Sequence, residues 1–152
     1  MAKRTSLWIL LVVTFGLVCA GCAPNTFVRG HAGGWKTIEL NESLKGDYNN
    51  TWQKTVDTIA RDYDIEMLDK DSGYLRTAWM YGISGGIYNR YRGRITIKYP
   101  SVANPDKIEV KTDAQWLSDP AYGIWEPGWD KSFNRDVFTA LSGRLGRTVS
   151  SE

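Results

Sequence analysis

Two stretches of this chain alternate apolar and polar side chains without a break, and together they dictate an antiparallel sheet. Residues 91 to 99 place Tyr91, Gly93, Ile95, Ile97 and Tyr99 on one side and Arg92, Arg94, Thr96 and Lys98 on the other. Residues 107 to 116 set Ile108, Val110, Thr112, Ala114 and Trp116 against Lys107, Glu109, Lys111, Asp113 and Gln115. A period of two with one apolar side marks strands that bury one face and wet the other. The charges choose the register. Pairing Ile97 with Val110 sets Tyr99 by Ile108, Tyr91 by Trp116, Lys98 by Glu109 and Arg94 by Asp113. A shift of two residues keeps the faces but opposes Lys98 to Lys107 and Arg94 to Lys111, unfavourable by up to about 1 kcal/mol each.

The rest of the chain supplies helices and shorter strands. Tyr48, Trp52, Val56, Ile59, Ala60 and Tyr63 recur at spacings of three and four, which predicts an amphipathic helix starting at Asp47 as N-cap. Phe133, Val137, Ala140, Leu141 and Leu145 predict a second helix from about Asp130 to Gly146. Between them, 65 to 69 and 73 to 81 read as strands around the Lys70-Asp71-Ser72-Gly73 turn, and Gly82 to Asn89 as a hairpin loop. The expected class is α+β: an antiparallel sheet of about four strands with two helices packed on one face, in two layers. Residues 118 to 129, with Pro120 and Pro127, read as a long irregular loop.

The N-terminus points to a compartment. Lys3 and Arg4 precede an apolar run from Leu7 to Val18, far short of the roughly 20 residues a spanning helix needs. The pattern fits a secretory signal. Ala20-Gly21-Cys22 resembles the lipobox of bacterial lipoproteins, with Cys19 where that family usually has Leu. The resemblance implies cleavage before Cys22, a diacylglycerol on its thiol and an acylated (palmitate-type) amino terminus. Ala23 rather than Asp at the next position implies sorting to the outer membrane, with the domain in the periplasm. The expected organisation is a cleaved signal over 1–21, a lipidated Cys22 and tether over 22–46, one domain over 47–146 and a frayed tail over 147–152. Within the tether, Trp35, Ile38 and Leu40 could make a short strand.

Processing changes the composition. Losing Lys3 and Arg4 takes the basic count from 19 to 17, against 17 acids, so the net charge falls from +2 to zero. A neutral domain has no electrostatic footprint for nucleic acid. Of the two cysteines, Cys19 would leave and Cys22 would be capped, which removes thiol chemistry and disulfides.

No catalytic set stands out. His31, the one histidine, lies among glycines in the expected tether. Asp57, Asp62, Asp64, Glu66, Asp69 and Asp71 read as a solvated helix face and a turn, since Asp69-x-Asp71-x-Gly73 lacks the further oxygens of a calcium loop. Gly82-Ile83-Ser84-Gly85-Gly86 joins two strands, whereas a phosphate loop leads into a helix. No cofactor and no metal are expected. Arg90, Arg92, Arg94 and Lys98 make a basic stripe whose charges the neighbouring strand can neutralise. Tyr122, Trp125 and Trp129, among Gly and Pro, are the candidate partner-binding residues, because aromatic anchors dominate binding hot spots.

From Trp52 to Trp79 there is a further likeness. A helix beginning with Trp is followed by Tyr63-Asp64-Ile65-Glu66, Asp69 and Asp71, then Gly73-Tyr74-Leu75-Arg76-Thr77. This is similar to the helix-grip domain of the BamC (NlpB) lipoprotein family of the outer-membrane β-barrel assembly machinery, which carries two such domains where this chain has room for one. The resemblance implies a non-enzymatic accessory role in outer-membrane protein assembly. The expected function is therefore a membrane-tethered module that binds an envelope protein, the alternative being a carrier of a lipid or other apolar ligand.

Overall fold

The computed structural model describes residues 23–85 and 88–149, with Tyr88 by its backbone alone. The signal-like segment and Cys22 lie outside the described residues. In chain order the elements are β1 (Phe27–Arg29), β2 (Lys36–Leu40), α1 (Tyr48–Ala60), β3 (Ile65–Asp69), β4 (Tyr74–Thr77), β5 (Met80–Tyr81), β6 (Tyr91–Lys98), β7 (Lys107–Asp119), β8 (Ile124–Asp130), α2 (Lys131–Leu145) and β9 (Gly146–Val149).

The two alternating stretches become β6 and β7, and the charge argument holds in detail. Ile97 faces Val110, Tyr91 faces Trp116, Lys98 faces Glu109 and Arg94 faces Asp113. Lys98 Nζ lies 2.8 Å from Glu109 Oε2, and Arg94 Nη2 lies 3.6 Å from Asp113 Oδ2. On the other face Tyr91, Ile95, Ile97, Ile108 and Val110 are fully buried.

The architecture around this pair departs from expectation. The described residues form one nine-stranded sheet with two helices, and this overturns a four-stranded sheet with two helices packed on one face. The main path runs β1-β8-β7-β6-β4-β3, and every pairing is antiparallel. The extra strands escape periodicity because they are short. β1 has 3 residues, β5 has 2 and β9 has 4; β1 and β9 are held by partners distant in sequence, β8 and β2, and β5 by the next strand, β6. β7 is long enough to take two neighbours on one edge, β2 along residues 107–110 and β8 along 114–119. β8 itself, expected as irregular loop, carries Pro127 and Gly128 and shows no clean alternation. Between β4 and β5, where pairing breaks, the Ile95 amide donates to Thr77 Oγ1 at 3.0 Å.

Strands also occupy two stretches expected to lie outside the domain. β1 and β2 fall within 22–46, and β9 closes on β2 with Ile38 facing Thr148. Backbone pairing supplied from far along the chain orders these segments, together with the burial of Ile38 and Leu40 in the core.

Both helices start as local chemistry dictates. Asp47 caps α1 by accepting from the Asn50 amide, and Asp130 caps α2 by accepting from that of Phe133. The buried stripe of α1 is rotated from the predicted one: Thr51, Thr55 and Thr58 join Trp52 and Ile59, while Ala60 is exposed. Their hydroxyls donate to carbonyls four residues back (Asp47 O 2.7 Å, Thr51 O 2.9 Å, Lys54 O 2.6 Å), so the buried hydroxyls are not left unsatisfied. Trp52 and Tyr48 pack on Tyr99, with centroids 5.8 and 5.2 Å away.

α2 seats Phe133 over a notch made by the cross-strand pair Gly93 and Ala114. A Cβ on Gly93 would fall 2.8 Å from the Phe133 ring and 2.7 Å from Ile83. Gly93→Val should therefore destabilise the domain by about 1–3 kcal/mol through overpacking. Urea titration checks this; an unchanged midpoint would mean that Phe133 does not seat there.

Candidate binding face

The alternation that buries Ile95 and Ile97 turns Arg92, Arg94 and Lys98 to the opposite, outer face. Tyr81 pairs with Arg92 across β5 and β6, so Trp79 and Tyr81 stand beside these cations. β8 adds Trp125, Pro127 and Trp129 at alternate positions. The result is a column of stacked aromatic and guanidinium groups. The Arg92 guanidinium lies 3.8 Å from the Trp125 ring centroid and 4.7 Å from that of Trp79. Arg94 covers Trp79 at 4.4 Å, and Tyr81 meets Trp125 edge-on with centroids 6.2 Å apart. Further along, Lys98 Nζ sits 4.4 Å from the Trp35 ring.

Arg92 is held from several sides. Its Nε and Nη2 donate to Gln115 Oε1 at 2.9 and 2.7 Å, and Nη1 donates to Tyr81 Oη at 3.2 Å. Each stack contributes about 0.5–1 kcal/mol where exposed and more when desolvated. Arg94 Nε and Asp113 Oδ1 have no hydrogen-bond partner. Arg94 stacks on Trp79 with its Nε–H left unpaired. Lys111 Nζ lies 3.1 Å from Asp113 Oδ1, an ion pair without hydrogen-bond geometry. The basic stripe is thus partly neutralised, by Glu109 and Asp113, and partly spent on aromatic rings.

The three aromatics proposed from sequence are not one cluster. Tyr122 is 82% exposed at the β7–β8 turn, where Asp119 Oδ1 accepts the amides of Ala121 (3.0 Å) and Tyr122 (3.3 Å). Trp125 is half-buried against Arg92. Trp129 lies on the same face but beside Gly33, whose Cβ would be 3.4 Å from that of Trp129. Cys22, the candidate lipidation site, lies outside the described residues. Trp79 and Tyr81 were missed, because a single strand over 73–81 hides the break after Thr77 that brings Trp79 to the outer face.

The chain matches no protein-family model and no curated protein.

A second polar constellation centres on Asp130, which is fully buried. Its carboxylate accepts from Ser84 Oγ (2.5 Å), Thr26 Oγ1 (2.5 Å), Tyr91 Oη (2.6 Å) and the Phe133 amide (2.7 Å). Burial raises its pKa, but the hydroxyls of Ser84, Thr26 and Tyr91 and the Phe133 amide together outweigh burial and hold it below the usual carboxylate value. Ser84 sits at φ +52, a left-handed conformation uncommon outside glycine. A strained serine on a carboxylate invites a nucleophile reading. The chemistry opposes it: a carboxylate whose acidity is increased and whose oxygens already accept four donors is a poor base. The group ties the N-terminal segment, the 82–85 turn, β6 and α2 together.

The remaining candidates are structural. His31 is exposed. Asp69 Oδ1 accepts the amides of Asp71 (3.1 Å) and Ser72 (3.2 Å), closing the turn before Gly73. Hydrogen bonds from Ser72 and Asp71 lower the Asp69 pKa. Among the described residues no three His, Cys, Asp or Glu side chains converge as a metal site. A cleft of about 370 Å³ is lined by Thr37, Glu39, Lys45, Asp106, Lys107 and Val149, a charged wall unsuited to an apolar ligand. Another, of about 200 Å³, is bounded by Trp79, Arg94, Lys111 and Asp113. It is smaller than the roughly 300–1,000 Å³ typical of small-molecule sites.

Proposed function

We propose that this chain is a lipid-anchored envelope protein acting as a non-enzymatic binding module. Its outer sheet face and β7–β8 turn hold a protein partner. The observation that carries the reading is the column of Trp125, Arg92, Trp79 and Arg94, ordered before any partner arrives. Trp, Tyr and Arg dominate interface energetics, and a pre-stacked arrangement loses less side-chain entropy on binding. The charged wall of the larger cleft and the small size of the one beside Trp79 weigh against the carrier alternative. A role in outer-membrane protein assembly remains the narrower form of the proposal, resting on the resemblance to the BamC lipoproteins.

The test has two stages. Affinity capture from detergent-solubilised envelopes identifies the partner; recovery of outer-membrane assembly subunits supports the narrower role, and other specific partners remove it. Titration calorimetry then compares variants. Arg92→Ala and Trp125→Ala are each expected to weaken binding by about 2 kcal/mol, roughly 30-fold. Trp129→Ala, beside Gly33, should change it far less. Wild-type affinity in both Arg92→Ala and Trp125→Ala would remove the outer face from the reading.

A further inference from the structure

The chain has almost no slack between Cys22 and the sheet. Ala23 already packs against the core, on the helix-covered side. The Phe27 amide donates to Pro24 O at 3.0 Å, and the Lys131 amide donates to Thr26 O at 3.0 Å. The Thr26 hydroxyl is fixed on Asp130, and the Phe27 ring meets Tyr91 edge-on with centroids 5.5 Å apart. Four residue steps separate Cys22 from Thr26, at most about 14 Å fully extended, and the turn at Pro24 shortens that reach.

Sheet order gives this position a direction. β1, which the N-terminal segment enters, is one edge of the main path, and β3 is the other. Five strand spacings of about 4.8 Å put β3 roughly 24 Å away. The chain also leaves on the helix side, opposite the face that carries Arg92 and Trp125. Beside the exit, Lys131 and Arg135 are both exposed on the first turns of α2, four residues apart and so on one side of the helix. Asp130, the carboxylate at this point, is buried under its donors. Of the nearby acids, Asp136 is paired with Arg135 at 3.3 Å.

We infer that the domain docks edge-on to the phospholipid surface holding its own anchor. The β1 edge and the first turns of α2 face the headgroups, and the outer sheet face is turned to the aqueous space. The inference rests on the lipidation of Cys22 in the proposed function. It explains how a protein held so close to a bilayer keeps its aromatic and guanidinium column open to a partner. Lys131 suits anionic headgroups, a cation near the surface adding about 1 kcal/mol; Arg135 beside it is paired with Asp136 and adds less. The rival arrangement lays the outer face itself on the bilayer, as interfacial Trp and Tyr with nearby cations often do.

The full-length lipidated protein, reconstituted in vesicles of phosphatidylethanolamine and phosphatidylglycerol, distinguishes these arrangements. With Cys19 removed and Cys22 capped, one introduced cysteine is the only reactive thiol. Spin labels are placed in separate variants at Asn25→Cys beside the β1 edge, Leu68→Cys on β3 and Pro127→Cys on the outer face, all exposed positions that leave Lys131 in place. Collision with a nickel-chelating headgroup lipid is then measured, after the acylated N-terminus is confirmed by intact mass. Collisions several-fold more frequent at Asn25→Cys than at the other two are expected. Equal values, or the highest value at Pro127→Cys, overturn the edge-on orientation while leaving the anchor intact. An unacylated N-terminus overturns the lipid-anchor reading and this orientation with it.

Discussion

Asp130→Ala is expected to lose roughly 3–5 kcal/mol of stability, a large share of the about 5–15 kcal/mol a domain possesses. The substitution removes the N-cap of α2, worth about 0.5–2 kcal/mol. It also strands the hydroxyl of Tyr91, a fully buried residue, at about 1–3 kcal/mol for an unsatisfied buried donor. Ser84 is exposed and Thr26 half-buried, so their hydroxyls can turn to water and add less. Charge-assisted bonds to the carboxylate supply the remainder. Urea titration of the purified domain measures the loss, and a change below about 1 kcal/mol would mean that the carboxylate is not the tie described here.

The same group sets an acid limit. Its native pKa lies below the ordinary value of 3.8, so the unfolded chain binds the proton more readily. Its contribution is therefore complete above that ordinary value and is lost as pH falls through the lowered native pKa. Asp130→Asn should flatten this part of the stability–pH curve. Retention of the full acid dependence in that variant would assign it to other carboxylates.

Trp116→Ala should cost about 3–5 kcal/mol, the range for deleting a large aromatic side chain from a packed core. Trp116 is 1% exposed on the helix-covered face of β7 and meets Tyr91 with ring centroids 6.1 Å apart. Removing it leaves a void under the residue whose hydroxyl holds Asp130, so the two losses should not add. A coupling of about 0.5–3 kcal/mol between Trp116→Ala and Asp130→Ala is expected, since both act through Tyr91. Strict additivity would separate the aromatic core from the polar tie.

Legibility in the sequence followed the range of the interactions. Pairing of β6 with β7 was readable because alternation specifies the faces and opposite charges specify the register, both within 26 residues of chain, from Tyr91 to Trp116. The two helices were readable because their periodicity and their capping residues are local. The buried stripe of α1 was only partly readable: hydropathy favours Val56 and Ala60, while bonds from Thr51, Thr55 and Thr58 to the preceding turn make threonines the buried residues.

In the candidate site, Trp125 and the basic stripe were visible as residue types, but their meeting was not. Stacking of Arg92 on Trp125 requires β8 to lie beside β7, and that pairing leaves no periodic trace around Pro127 and Gly128. Trp79 joins through a strand of 2 residues. Thr26, Ser84, Tyr91 and Asp130 span more than a hundred residues of chain, and no spacing rule connects them.

By itself, then, the sequence determined the central hairpin with its register, the two helix starts and the choice of which β6 residues face water. Only the tertiary structure decided that β1, β8 and β9 exist, that β5 breaks away from β4, and that aromatics and guanidinium groups gather on one outer face. The reason is that alternation, capping and charge pairing act between neighbours in the chain. A short strand has too few side chains to declare itself, and the distant edge that completes its backbone hydrogen bonds exists only once the fold has formed.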